Sequence, residues 1–557
     1  MSLSKHINAD RLIQAAKDKK HGHHFANLTQ NKPHASLVYG SRYGTDAIPK
    51  FSMPSKGIDP EAAYQVIHDE LTLDGSPVLN LASFVHTWMP PAADRLMMEN
   101  QSKNLIDSDE YPMTQIIHNR CVSMLADLWH APSAQNAIGT ATTGSSEAIQ
   151  LGGLAMKRLW QEKRKAAGKS IHEPGPNIVM GANAQVALEK FARYFDVECR
   201  LVPVSVESHY RLDPKKTMEY VDENTIGVYV ILGSTYTGHY GVLFSFPGGF
   251  ADRVRQSLSR RWRTCWTSTR RRQATRSPSM AIDGASGGFV APFATPKLLW
   301  DFKIPRVVSI NTSGHKFGLA YVGVGWVIWR DKQHLPKDLI FELHYLGSVE
   351  YSFSLNFSRP AAPIIAQYFN LISLGFEGYR SVALNDLKNA RLLSRALENS
   401  EYYTVLSDIH RADPSIAASI KGVVDSDDSY VPGLPVVSFR FSDKVKTEHP
   451  ELQQHWIQVL LRARGWIVPN YELPPNEQAT EILRVVVREN LTEPLIERLV
   501  NDLMEITEDL LKRDSSTHAL DVLGSGQSKQ QHGHERAHGK LDEGHSSAPS
   551  GTYAKTC

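Results

Sequence analysis

Apolar residues recur at helical spacing over 146–164, at Ile149, Leu151, Leu154, Ala155 and Leu159, which predicts an amphipathic helix. Short β-branched runs at 177–180, 226–232, 306–310 and 321–329 alternate with such helical stretches, and that alternation predicts a parallel sheet in an α/β domain over 56–375. Beyond Glu377 the pattern changes to a helix through Leu397, strands at 435–441 and 482–488, and helices at 449–464 and 493–512. That order predicts a smaller C-terminal α+β domain over 376–512. The first 55 residues are polar, with Lys19, Lys20, His21, His23 and His24 clustered, and read as an arm. Residues 513–557 carry five histidines among Gly, Ser, Gln and Lys without an apolar stripe, which predicts a disordered tail. Their spacing has no ligand pattern, so no metal is expected.

Length and charge narrow the class. The 557 residues suffice for several domains at roughly 100–200 residues each, and 41% hydrophobic with 22% charged residues is a globular composition. A formal net charge of +2 supplies no field for nucleic acid or an anionic membrane. Cys121, Cys199, Cys265 and Cys557 lie far apart with no CxxC pair, which argues against a disulfide framework and for a reducing compartment. No stretch approaches the roughly 18 apolar residues of a membrane span, and the polar start lacks the apolar core of a secretory signal. A cytoplasmic protein is the expectation.

Three segments carry chemistry. Thr140 to Glu147 places Gly144, Ser145 and Ser146 where a helix begins; it is either an N-cap or a phosphate cup, and it lacks the Gly-Lys-Ser/Thr of a nucleotide P-loop. Asp283 follows a short apolar step and precedes Gly284, Ala285, Ser286, Gly287 and Gly288, small residues that admit a flat ligand, although a turn Asp has the same surroundings. Lys316, within Ser313, Gly314, His315, Lys316, Phe317 and Gly318, stands just past an apolar strand. Together they supply what pyridoxal phosphate requires: an amine that loses its proton on desolvation, a carboxylate for the ring nitrogen and an anchor for the phosphate.

These segments, with Asn80 to Phe84, Glu110 to Pro112, Ala126 to His130, Phe191 to Tyr194 and Asn356 to Pro360, resemble the motifs of the glutamate decarboxylases over residues 56–510. The resemblance implies the aspartate-aminotransferase-like fold (fold type I) of pyridoxal-phosphate enzymes and conversion of L-glutamate to 4-aminobutanoate and CO2. It makes Lys316 the Schiff-base lysine and Asp283 the ring-nitrogen partner. Ser145, Ser146, Ser313 and His315 would surround the phosphate, Gln185 the ring face, and Thr235 and Ala285 would contact the cofactor. Ser358 would reach the phosphate from a neighbouring subunit, so at least a homodimer is implied. Arg484 would grip the α-carboxylate, a bidentate task suited to a guanidinium. The distal carboxylate would meet Ser83, where the family often has Thr, with Phe84, Asn104 and Asp107. An acid facing an acid binds well only if the pair shares a proton, which predicts acid-favoured activity. Asp107 and Asn104 favour glutamate over aspartate or an aromatic amino acid. No Trp follows Trp466 and the tail has no basic amphipathic helix, so calmodulin is not an expected partner.

The family pattern lapses over 241–280. Residues 251–276 hold nine arginines, no lysine and one acid, Asp252. Codons for the family-like helix Leu-Leu-Asp-Glu-Tyr-Glu, shifted by one base, read as Cys265 through Arg270. An out-of-frame stretch is the expectation, costing a core helix and part of a central strand, with Ala281 where the family has His. Such a loss could leave the chain catalytically impaired.

Overall fold

The computed structural model describes residues 51–241, 278–343, 350–413 and 429–512. The expected arm up to residue 50, the arginine-rich stretch 242–277 and the tail from 513 lie outside the described residues. Contacts divide the chain into 1–76 and 77–557. The first unit has one described helix, α1 (Pro60–Leu71), where the Asp59 side chain caps the Glu61 N–H and Pro60 takes a first-turn position that needs no donor.

The second unit holds a helix α2 (Pro112–Leu128) and then the large sheet: β1 (Ile138–Thr142), α3 (Ser145–Ala166), β2 (Asn177–Gly181), α4 (Val186–Tyr194), β3 (Glu198–Val202), β4 (Thr225–Ile231), β5 (Met280–Asp283), β6 (Val307–Ser313) and β7 (Gly325–Trp329). The strand order is β1-β7-β6-β5-β4-β2-β3. Pairing is parallel from β3 to β6, as the alternation predicts. β7 departs from that expectation, running antiparallel to β6 and β1. The connection 314–324 holds no crossover helix, so the chain can only turn back beside the strand it left. β7 is also shorter than expected, because Gly323 takes φ 116° and Val322 is exposed before the buried run begins. β5 is four residues against seven in β4 and β6, yet it pairs on both edges.

Helix α3 crosses one face of this sheet and packs on α4 through Gly153, where a Cβ would stand 2.5 Å from the Phe191 ring. Phe191 is fully buried, a contribution of about 1.5–3 kcal/mol for such a side chain. Helix α5 (Ala362–Asn399) follows and kinks at Gly375 (φ 59°). Beyond it β8 (Tyr403–Val405), β9 (Val436–Phe441), α6 (His455–Ala463), β10 (Asn470–Glu472), β11 (Glu481–Val486) and α7 (Glu493–Lys512) follow. These strands form a second sheet, β8-β9-β11-β10, antiparallel throughout. Its core, with Phe439, Trp466, Leu483 and Leu499, is separate from that of the large sheet. The single helix expected over 449–464 starts only at His455, after a turn over 449–454.

Candidate active site

Parallel strands end together, and their carboxyl ends place loops on one rim where ligands bind. β5 delivers Asp283 to that rim and β6 delivers Ser313, with Lys316 three residues on. Between β1 and α3, Gly144 is extended and leaves the first N–H groups of a long helix without a side-chain cap, a ready place for an anion. The Ser145 N–H donates to Ser313 Oγ at 3.3 Å, and a Cβ on Gly144 would lie 3.0 Å from His315 Cε1. Gly144, Ser145, Ser313 and His315 therefore share one concavity, with Ser146 in the same first turn.

Burial, and then the neighbouring Lys316 charge, lower the His315 pKa to about 4, so the ring is neutral at ordinary pH. Its Nδ1 accepts from the Gly323 N–H at 3.4 Å. The neutral ring then carries its proton on Nε2 and can donate it. Asp283 is buried, and burial pushes its pKa up while Asn311, Lys316 and the Ala285 N–H pull it back. Lys316 Nζ stands 3.5 Å from Ser286 Oγ and 5.3 Å from the centre of the Phe84 ring. Ala285 links the parts, donating to Asp283 Oδ1 at 3.2 Å and accepting from the Ser313 N–H at 3.1 Å.

Arg484 on β11 reaches the same rim from the second sheet. Its guanidinium lies 4.9 Å from the Phe84 ring centre and 5.6 Å from that of Tyr471. One Nη donates to the Thr235 carbonyl at 3.1 Å, the other to the Ala82 carbonyl, and Nε is buried without a partner. Phe84, Thr235, Lys316 and Arg484 are thus brought together. Ser83 sits in the same loop, where Asn80 Oδ1 accepts from the N–H groups of Ala82 and Ser83 and Ser83 Oγ accepts from Val85. Gln185 caps α4, its Oε1 accepting from the Ala187 N–H at 2.6 Å. Asn104, Asp107 and Ser358 form a cluster of their own: Asn104 Nδ2 lies 3.2 Å from Asp107 Oδ1 and 3.4 Å from Ser358 Oγ, and Asn104 Oδ1 accepts from the Arg359 N–H.

Two residues to which sequence reasoning assigned no role hold these loops. Glu147, buried in the first turn of α3, accepts from Thr143 and from the Leu355 and Asn356 N–H groups, tying the segment that bears Ser358 to the helix start. Arg488 donates to the carbonyls of Pro77, Asn80 and Val85, so one guanidinium shapes the loop carrying Ser83 and Phe84. Its charge faces Asp386 and Glu489, and His86 Nδ1 lies 3.0 Å from Glu489. In sequence Glu147 sits beside Ser145 and Ser146, but a buried arginine carries no local mark. Arg488→Met should destabilise the protein by about 3–5 kcal/mol, since it leaves buried carboxylates and carbonyls unpaired; the midpoint of a urea unfolding curve measures this.

The residues fit pyridoxal phosphate. An anion seat at a helix start, a neutral histidine donor, a buried carboxylate and a half-buried lysine occupy one rim, and an orphaned guanidinium Nε lies beside them. Among the described residues no group of three His, Cys, Asp or Glu could hold a metal ion, and no helix is long and apolar enough to cross a membrane.

Residues 53–413 match the pyridoxal-dependent decarboxylase conserved domain. The chain is 47% identical to a glutamate decarboxylase of Saccharomyces cerevisiae, over 83% of this chain and 79% of that protein. It is also 47% identical to one of Solanum lycopersicum, over 85% of each. Among solved structures it is similar to a Lactobacillus brevis glutamate decarboxylase, with TM-score 0.73, 36% identity, and 84% of this chain and 97% of that one covered. The fold alone is shared with a Burkholderia pseudomallei sphingosine-1-phosphate lyase, at TM-score 0.62 and 20% identity over 89% of this chain and 98% of that one. A fold type I sheet with the lysine, carboxylate and anion seat on one rim, and close identity over most of the length, agree: the chain belongs to the pyridoxal-dependent decarboxylase family, among the glutamate decarboxylases.

Proposed function

We propose that the chain converts L-glutamate to 4-aminobutanoate and CO2 with pyridoxal 5'-phosphate held at Lys316, in a homo-oligomer of at least two copies. The observation that carries this reading is Arg484, fixed between Phe84 and Tyr471 with Nε unpartnered, on the same rim as Lys316 and Asp283. When bound, pyridoxal phosphate supplies a sink for the electron pair left at Cα as CO2 departs.

The chain's own groups do the rest. Ser145, Ser146, Ser313 and the Nε2–H of His315 would hold the phosphate, and Asp283 would serve the ring nitrogen. Gln185, Thr235 and Ala285 would border the ring. The Arg484 guanidinium takes the α-carboxylate through Nε, while Phe84, Phe317 and Tyr471 keep water from the reacting bond. Lys316 lies against the Phe84 face, its Nζ 5.3 Å from the ring centre, and would supply the amine that carries the cofactor. Ser83, the Phe84 N–H, Asn104 and Asp107 would receive the distal carboxylate, and Ser358 would reach the phosphate of a neighbouring copy. The four cysteines, far apart with no CxxC pair, favour a cytoplasmic setting.

Purified chain with added pyridoxal phosphate should release CO2 and 4-aminobutanoate in equal amounts from glutamate, and far less product from aspartate or aromatic amino acids. Because Asp107 and the distal carboxylate must share one proton, KM for glutamate should rise with pH; in Asp107→Asn that rise should flatten. Equal turnover of aspartate would overturn the substrate assignment.

A further inference from the structure

A buried carboxylate that serves a ring nitrogen needs two things from the protein: a donor that keeps it ionised, and a fixed plane so that one oxygen faces the ligand. Asp283 ends the central strand β5 with 2% of its surface exposed. Both protein donors to it meet the same oxygen: Asn311 Nδ2 at 2.8 Å and the Ala285 N–H at 3.2 Å, each on Oδ1. Neither takes Oδ2.

The other side chains on that face do not serve. Ala281, two residues back and so on the same face of the strand, has no donor. Tyr229, in register with Ala281, commits its hydroxyl to the Ile149 carbonyl at 2.6 Å. Among the described residues Asn311 is the one side chain hydrogen-bonded to Asp283.

Asn311 is itself held. It pairs in register with Asp283 across β5 and β6, and its carbonyl accepts from the Gly284 N–H at 2.9 Å. Thr312 Oγ1 donates to the Gly284 carbonyl at 2.9 Å, and the Ser313 N–H to the Ala285 carbonyl at 3.1 Å. Three consecutive residues of β6 thereby zip onto the turn after Asp283, and Lys316 follows on the same segment. The end of one strand sets the carboxylate, part of the phosphate seat and the lysine in one register.

We propose that Asn311 is the positioning residue of the cofactor site, holding Asp283 Oδ1 so that Oδ2 is presented to the ring nitrogen. This rests on the reading of Asp283 as the ring partner. It acts through Asp283 and touches no reacting atom.

The test is a double-mutant cycle on the full chain, read as pyridoxal phosphate affinity by fluorescence titration, with the melting temperature of the cofactor-free protein as a control of folding. Asn311→Leu, close in volume, should weaken cofactor binding on the order of tenfold to a hundredfold, the range for a hydrogen bond to a charged group. KM for glutamate should stay unchanged in the residual activity. In the Asp283→Asn background the same substitution should change cofactor affinity by less than about twofold. Asn311→Ser, which keeps a polar group but shortens its reach, should move affinity in the same direction and guards against a folding failure of the leucine variant. Undiminished affinity in both Asn311 variants, or equal losses in both backgrounds, would overturn the positioning role. A silent Asp283→Asn would instead remove the ring-partner reading itself, and the inference with it.

Discussion

Lys316→Ala abolishes turnover: kcat falls by roughly 10³-fold or more, as when the central group of a covalent site is removed. The change also removes the attachment point, so dialysis should strip the cofactor. Lys316→Arg should be as inactive, because a guanidinium stays protonated and cannot act as a nucleophile. Folding should survive both changes, since Lys316 is half-buried at a rim and the strand before it, β6, is held by its neighbours β5 and β7. Initial rates of CO2 release together with the retained cofactor absorbance measure both effects.

Arg484→Met has the second largest effect. The side chain stacks on Phe84 and Tyr471 and ties the Ala82 and Thr235 carbonyls together, so the methionine retains the packing but supplies no donor. Losing a buried charge-assisted pair with a carboxylate costs about 3–4 kcal/mol, equivalent to roughly 10²–10³ in kcat/KM. Arg484→Lys keeps the charge without the fork and should recover less than tenfold in kcat/KM, under about 1.4 kcal/mol. A variant that bound glutamate as well as the parent would mean that the α-carboxylate sits elsewhere.

Much of this architecture is legible in the sequence because its signals are local. The helix over 145–166 and the strands β2, β4, β6 and β7 follow from periodicity, whereas β1 and β3 escape it. Ser145, Asp283, Ser313, His315 and Lys316 are legible for the same reason: each lies next to a strand end or helix start, so its rim position follows from the element. The antiparallel sense of β7 is not local. It depends on the helix-free return from β6, whereas strand alternation alone predicts parallel pairing. Arg488 and Glu147 escape notice because a charged residue reads as surface until its partners, distant in sequence, are placed around it. The grouping of Asn104 with Ser358, 254 positions apart, has the same origin.

Reduction of the cofactor-loaded full chain with borohydride, followed by peptide mapping, tests the central claim most directly. Pyridoxyl label is expected on Lys316 alone, at one per chain, with 4-aminobutanoate formed from glutamate before reduction. Label absent, or carried by another lysine, would contradict it.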